Sequence, residues 1–335
     1  MQKRLVSLIT PTFNNGALIP RLLNSILQQT YPYIEHIVID DGSTDNTKEV
    51  IQKYVPLYKE KGYNLVYQYQ KNSGQSTAIK NGLKLIKGEF LAWPDSDDFY
   101  SSLEAIDKMV QSLMTLPPEY AIVRSCQRIV EENTLREIKI QGMEHDNNHA
   151  NLFEDCLYGK NGFYWGAGAY MLRISDLEKS TTFDIYTHKD AGQNWQLFLP
   201  IFYSYICYTI KEVLYTVVER ANSHGRGAYK GYNQLILRKQ VYEQTLLNTL
   251  DRIKAMPHNE VELYKKHIRT QLCLERMELA YQCRERFDYN KDYQWLRNNN
   301  KKAINRINRI RWYVIKTKTE KFLDLLIKLY HKIKQ

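Results

Sequence analysis

The sequence predicts an α/β protein. Its first half folds as a Rossmann-like, mostly parallel central sheet flanked by helices, and a helical C-terminal extension follows. Strand-like and helix-like segments alternate over the first hundred residues, which is the pattern of a doubly wound sheet. Clusters of turn-forming residues fall where the strand-like runs end. From about residue 227 the apolar residues recur almost wholly at helical spacing.

Leu5-Val6-Ser7-Leu8-Ile9-Thr10 is a β-rich run expected to end at Pro11. Ala17 to Gln29 has helical spacing, with Leu18, Leu22, Leu23, Ile26 and Leu27 apolar. His36 to Ile39 reads as a second strand, closed by Asp40-Asp41-Gly42-Ser43. A helix follows from Thr44 to Tyr54, with Asp45 placed to cap it. Leu65 to Tyr69 gives a third strand, Ser76 to Ile86 a third helix, and Gly88 to Trp93 a fourth strand. Tyr120 to Ser125 and Tyr208 to Val218 are further strands in a less regular middle. This reading divides the chain into a sheet domain over residues 1–226 and a helical region over 227–335.

Composition narrows the class. With 335 residues and 43% hydrophobic content the chain can bury a large core. No 18-residue apolar run occurs, which argues against a membrane-spanning helix. The N-terminal apolar stretch breaks at Pro11, too early for a secretory signal. The five cysteines are scattered and include no Cys-x-x-Cys pair, which fits reduced thiols in a cytoplasmic protein. Residues 301–335 hold eleven Lys or Arg and two acids, so +9 of the net +10 belongs to a tail. Phe322, Leu325, Leu326, Leu329, Tyr330 and Ile333 share one helical face of that tail. A basic amphipathic helix suits an anionic membrane surface, on the inner face of the cell membrane. It equally suits docking on its own domain or on a partner subunit in a homo-oligomer.

Chemistry concentrates at Asp95-Ser96-Asp97-Asp98, directly after the apolar run Phe90 to Trp93. Crowded carboxylates repel unless a positive charge sits among them. A hard divalent cation with oxygen ligands answers that need, and such ions usually combine one or two carboxylates with substrate phosphates. Taken alone, the cluster also fits a solvated acidic turn. In a doubly wound sheet, ligands bind beyond the carboxyl ends of the strands. The turn Pro11-Thr12-Phe13-Asn14, the pair Asp40-Asp41 and the acidic cluster should therefore converge on one edge.

These motifs, in this order and spacing, resemble a family 2 glycosyltransferase of the GT-A fold. Val6 to Asn14 is similar to the opening strand and Pro-Thr-aromatic-Asn turn of that family. Ile37 to Asp45 resembles its second strand and Asp-Asp-Gly-Ser turn. Asn72-Ser73-Gly74-Gln75 resembles its Asn-x-Gly segment, and Asp95 to Asp98 its metal-binding Asp-x-Asp motif. The resemblance implies an inverting transfer from a nucleotide-sugar, here a UDP-sugar, to a glycan or lipid-linked acceptor in polysaccharide biosynthesis. It implies a divalent cation, Mn²⁺ or Mg²⁺, with Asp97 as principal ligand and Asp95 assisting or touching the donor. Asp41 would accept the uracil N–H. Pro11, Thr12 and Asn14 would border the base, with Ser96 and Lys80 also on the donor side.

The match departs where the family carries a Glu-Asp pair ahead of an aromatic-rich helix, for here stand Gln193-Asn194. Neither amide is a base at neutral pH. Asp190 is the candidate base, Asp184 an alternative, and Asn194 a ligand for acceptor hydroxyls. His224 is a candidate for the ion's shell, and Arg220 or Arg226 for phosphate. Two rival classes remain: a nucleotide-sugar-binding protein without turnover, and a nucleic-acid-binding α/β protein. The second calls for aromatics interleaved with basic groups on a sheet, a pattern not found in the first 220 residues. No nucleic-acid partner is therefore expected.

Overall fold

The computed structural model describes residues 4–220 and 231–317. They fall into two compact units, and each is described by itself. The first takes in the described part of residues 1–228 together with Thr245–His258. It begins with β1 (Val6–Thr12), α1 (Ile19–Leu27), β2 (Ile34–Asp40), α2 (Thr47–Glu60), β3 (Asn64–Tyr69), α3 (Gln75–Leu83) and β4 (Phe90–Ala92). Next come β5 (Phe99–Tyr100), α4 (Ala105–Thr115), β6 (Tyr120–Glu131), β7 (Glu137–Gln141) and α5 (Phe153–Tyr158). After these follow β8 (Tyr170–Arg173), α6 (Ile174–Ser180), α7 (Asn194–Ser204) and β9 (Ile206–Glu219).

The sheet runs in the order β3-β2-β1-β4-β8-β6-β9-β5, with β7 paired to β6. The first four strands in that order are mutually parallel. β8 is antiparallel to both its neighbours, and β9 runs parallel to β6. Every residue of β1 and β2 is buried, as a strand covered on both faces requires. Ile19, Leu22, Leu23 and Ile26 give α1 its buried stripe. On α3, an added Cβ at Gly82 would lie 2.5 Å from Ile9 Cγ2, so that helix sits close on β1.

β1 runs past Pro11, where the sequence expectation ended it. The register explains this. Val6 N–H donates to Tyr33 and Thr12 C=O accepts from Asp41, so even-numbered residues of β1 face β2. Odd-numbered ones face β4, which pairs only with Val6 to Leu8. Pro11 thus turns its missing N–H to a side that carries no ladder at that level.

Chain ends of the parallel strands lie level: Thr12 is opposite Asp40, and Asp40 opposite Tyr69. β4 stops earlier, at Ala92 opposite Leu8. The acidic stretch therefore leaves the sheet before the other turns do.

The second unit comprises the described parts of residues 229–244 and 259–335. It holds the start of α8 (Tyr232–Leu250), nearly all of α9 (His258–Gln282), α10 (Arg286–Asn299) and α11 (Arg306–Thr317). Its core is Cys273, Met277, Ala280, Tyr289, Tyr293, Leu296, Ile304 and Ile315, with Trp312 packed against it. The buried Arg276 is paired with Asp292 at 2.9 Å and with Glu243. Among the described residues no helix is long and apolar enough to cross a membrane.

His36 in β2 is wholly buried between Tyr58 Oη at 3.2 Å and Thr10 Oγ1 at 2.9 Å. Burial lowers its pKa from 6.5 to about 3, so the folded ring stays neutral where the unfolded one takes a proton. Stability is then fully present above pH 6.5 and falls as the pH drops towards 3, by about 1.4 kcal/mol per pH unit. The urea midpoint is expected to fall between pH 7 and pH 5, and more so than in a His36→Gln variant. Equal falls in the two proteins would show that His36 is not the group responsible.

Candidate active site

Three turns meet at the carboxyl edge of the parallel strands, and short polar side chains tie them together. Asn14 holds a left-handed backbone (φ 47°), which suits asparagine better than most residues. Its N–H donates to Ser43 Oγ at 2.8 Å, and its Oδ1 accepts from Thr44 N–H at 2.7 Å. Asn15 extends the link both ways. Its N–H donates to Thr47 Oγ1 at 3.0 Å, and its Nδ2 donates to Ser96 Oγ at 2.7 Å. Asp45 accepts from both Gly16 N–H and Thr47 N–H, but α2 begins only at Thr47 with Asn46 in the cap position, so Asp45 braces the turn before the helix and is not its cap, as the sequence had suggested.

The two aspartates after β2 divide the work. Asp40 accepts from Ser43 N–H at 2.8 Å and from Tyr67 Oη at 2.7 Å, so it holds its own turn. Asp41 is 5% exposed and reaches the loop after β3 instead. It accepts from Gln70 Nε2 at 2.7 Å and from the N–H groups of Ser73 and Gly74 at 2.8 Å each. Gly74 enters α3 with φ +91°, and a Cβ there would lie 2.5 Å from Lys189 O. Glycine is thus needed for both backbone and space. Ser76 Oγ adds a bond to His188 O at 3.2 Å. The start of α3 is in this way fastened to the 186–190 loop.

The acidic stretch is partly buried, Ser96 and Asp98 more than Asp95 and Asp97, and it is electrostatically strained. Asp98, 3% exposed, accepts from Val218 N–H at 2.8 Å and so anchors β9. Burial, and then the Asp97 and Asp95 charges, push its carboxyl well above the ordinary range. Asp95 accepts from Gln75 Nε2 at 3.0 Å. Burial together with Asp97 pushes it up to about 7, against the favourable influence of Gln75 and Arg220. Asp97 meets the Arg220 guanidinium at 2.5 Å. Among the described residues no group of three or more His, Cys, Asp or Glu is arranged to hold a metal ion. His224 and Arg226 lie outside the described residues.

Lys80 on α3 forms an ion pair with Asp184, which draws the Asp184 carboxyl below its ordinary range. Asp190 donates its N–H to His188 Nδ1 at 3.1 Å, with its carboxylate 3.8 Å from the same nitrogen. Asn194 opens α7. It accepts from Trp93 Nε1 at 2.9 Å and donates to Trp165 O at 3.2 Å. Gln193 is 2% exposed, and its Oε1 has no hydrogen-bond partner. Two more buried atoms at this edge share that condition, Thr12 Oγ1 and Arg220 Nε. Unpartnered polar atoms in a protein interior are costly and mark places where a ligand can be bound.

Sequence reasoning missed two organising amides. Asn15 bridges the first turn to the acidic stretch. Gln196, wholly buried, accepts from Tyr186 N–H and Arg252 and donates to the carbonyls of Tyr186 and Gly192. It thereby fixes the loop that carries Asp190. Asn15 has no local signature because its partners lie far away in the chain, and Gln196 bonds an irregular loop that no periodic pattern announces.

Residues 7–177, just over half of the chain, match the model of glycosyl transferase family 2. The chain belongs to that family. The poly(ribitol-phosphate) β-N-acetylglucosaminyltransferase TarP of Staphylococcus aureus is 44% identical over 98 residues, 28% of each chain. The matched stretches span less than half the length of the curated relatives. TarS of S. aureus, crystallised with UDP-GlcNAc, superposes with a TM-score of 0.64 at 17% identity, over 95% of this chain and 92% of that one. The mannosyltransferase PcManGT of Pyrobaculum calidifontis, solved with GDP-Man and Mn²⁺, gives 0.52 at 15% identity, over 93% and 84%. These likenesses establish that this family 2 member has the GT-A fold.

Asn15→Ala removes the side-chain bond between two turns and leaves Ser96 Oγ without that donor. A loss of about 1–3 kcal/mol in unfolding free energy is expected from a buried bond of this kind. An unchanged denaturation midpoint would mean that the turns are held together without it.

Proposed function

We propose that this family 2 member transfers a hexosyl group from a UDP-sugar to a hydroxyl of a glycan or lipid-linked acceptor, with inversion, in the biosynthesis of a cell-wall polysaccharide. We further propose that Mn²⁺ or Mg²⁺ assists. One observation carries the reading: three turns at the strand ends, bound to one another through Asn14, Asn15 and Asp41, bring together carboxylates and unpartnered buried polar atoms. The UDP-GlcNAc held by TarS and the name of TarP support the donor and acceptor classes, and the Mn²⁺ of PcManGT supports the cation.

The residues fit a cation of the kind that pairs one or two carboxylates with donor phosphates. Asp97 and Asp95 would hold it, since burial and mutual repulsion leave Asp95 short of positive charge. Bound there, it would offset the diphosphate charge and assist departure of UDP as a Lewis acid. His224 is a further ligand on the same reading.

In this proposal the chain's own groups do the rest. Asp41 accepts the uracil N–H on Oδ2, which carries one backbone bond and has capacity for another. Pro11, Thr12 and Asn14 border the base, and Thr12 Oγ1 gains a partner there. Ser96 and Lys80 stand on the donor side, with Lys80 exchanging Asp184 for phosphate. Arg220 shifts from Asp97 to the diphosphate. Asp190 takes the proton of the acceptor hydroxyl as its oxygen bonds to the anomeric carbon. The bond from that carbon to the β-phosphate oxygen breaks, and its electron pair leaves with UDP. Asn194 orients the acceptor. Residues 1–226 carry this chemistry, and 227–335 form the helical region with its basic tail.

A donor-binding protein without turnover is the second reading, favoured by Gln193-Asn194 in place of an acid. The two part on a single measurement, release of UDP from UDP-GlcNAc with Mn²⁺.

Asp97→Asn is expected to abolish the metal-dependent part of UDP affinity while the circular dichroism spectrum stays unchanged. Calorimetry with and without Mn²⁺ reads this, and an intact metal dependence would remove Asp97 from the ion's shell. Asp190→Asn should cut turnover by at least about 100-fold with donor affinity nearly constant. Near-normal turnover would exclude Asp190 as the base.

The basic tail is proposed to bind an anionic membrane. Trp312 and Ile315 belong to the packing of the second unit, so the informative deletion begins at residue 318. It should reduce binding to anionic liposomes, with the difference shrinking as salt rises. Undiminished binding by the shortened chain would end the membrane proposal.

A further inference from the structure

A second polar pocket lies apart from the three turns. Its floor is a row across three strands, for Arg128 of β6 pairs with Thr216 of β9, and Thr216 pairs with Phe99 of β5. Its wall is one face of α1, where Arg21, Asn24 and Gln28 recur at helical spacing. The cavity has a volume of about 470 Å³.

The lining holds two guanidiniums and no carboxylate. Arg128 is offset by Glu137, with Nε 3.0 Å from Oε2. Arg21 has no acidic partner among the described residues, and its Nη1 is shielded from solvent without a hydrogen bond. A shielded guanidinium nitrogen without an acceptor is costly even where the rest of the side chain reaches solvent. The neighbouring amides of Asn24 and Gln28 and the hydroxyl of Ser101 offer further donors around the same space. A donor-rich, net positive pocket with one planar fork in its floor and another in its wall suits an oxyanion taken in bidentate fashion.

We propose that this pocket is a second oxyanion site, binding a phosphate or carboxylate carried on a glycan, separate from the place assigned to the donor diphosphate. The glycan as source rests on the proposed function. The anion chemistry rests only on the pocket.

The test uses the full chain with UDP at saturation, so that the donor region is filled. Inorganic phosphate and a glucuronate-containing oligosaccharide are titrated by calorimetry. Arg21→Gln is expected to weaken both at least tenfold, and Arg21→Lys to retain most of the binding. Glu137→Gln should tighten both, because it releases Arg128. UDP affinity should stay constant in all three variants. Should Arg21→Gln fail to fold, the Glu137→Gln gain and the Arg21→Lys retention still decide the matter. Unchanged affinities in Arg21→Gln and Glu137→Gln, or phosphate that competes with UDP, would overturn the proposal. Tighter binding of the oligosaccharide than of phosphate supports a glycan source, and the reverse order overturns it. If UDP itself fails to bind, the proposed function falls, while the phosphate titration on the UDP-free chain still tests the pocket.

Discussion

Three carboxylates in four residues at a strand end repel one another, and much of the surrounding structure answers that repulsion. Asp98 is spent on the backbone of β9, Asp95 on the Gln75 amide and Asp97 on Arg220. Val218 and Arg220 lie together at the end of β9, and Gln75 opens α3. The cluster therefore pulls β9, α3 and the segment after β9 towards the end of β4. Even so, burial wins for Asp95 and Asp98, whose carboxyls stay above the ordinary range. A site so arranged favours whatever brings positive charge.

The same edge is stiffened by side chains that replace missing sheet hydrogen bonds. Beyond Thr12, Asp40 and Tyr69 the ladder gives out after the bonds of Asp41 and Gln70, and the turns rely largely on side chains to pair with. Asn14, Asn15, Asp40, Asp41 and Asp45 supply those pairs. Short polar side chains suit the task because they reach nearby backbone without giving up much rotamer freedom. The 186–190 loop is fixed likewise, by Gln196 from one side and by Gly74 and Ser76 from the other. The start of α3 and the loop before α7 thus share supports.

Much of this was legible in the sequence because turn chemistry is local. Asp40-Asp41-Gly42-Ser43 and Asp95-Ser96-Asp97-Asp98 declare themselves by composition, and hydrophobic periodicity ordered the strands and helices between them. Family resemblance added roles that spacing alone does not assign. What escaped reading was long-range. The parallel pairing of β6 with β9 joins segments nearly ninety residues apart and leaves no periodic trace. Asn15 and Gln196 look like ordinary polar residues until their partners are brought near by folding. The ion pair of Lys80 with Asp184 was equally invisible, since each is an unremarkable surface charge in its own segment. Pro11 misled in the opposite direction, for it signals a strand end only where its nitrogen faces a partner.

That proline has a further consequence. Past Leu8, β1 runs on without β4 beside it, and an unpaired strand margin is a template on which a foreign strand can assemble. Such a margin would invite self-association through a strand that is wholly buried in the native fold. Pro11 withholds the donor that an incoming strand would need. The residue that sits one place before the end of β1 thus leaves that margin one donor short for any strand that would add to it.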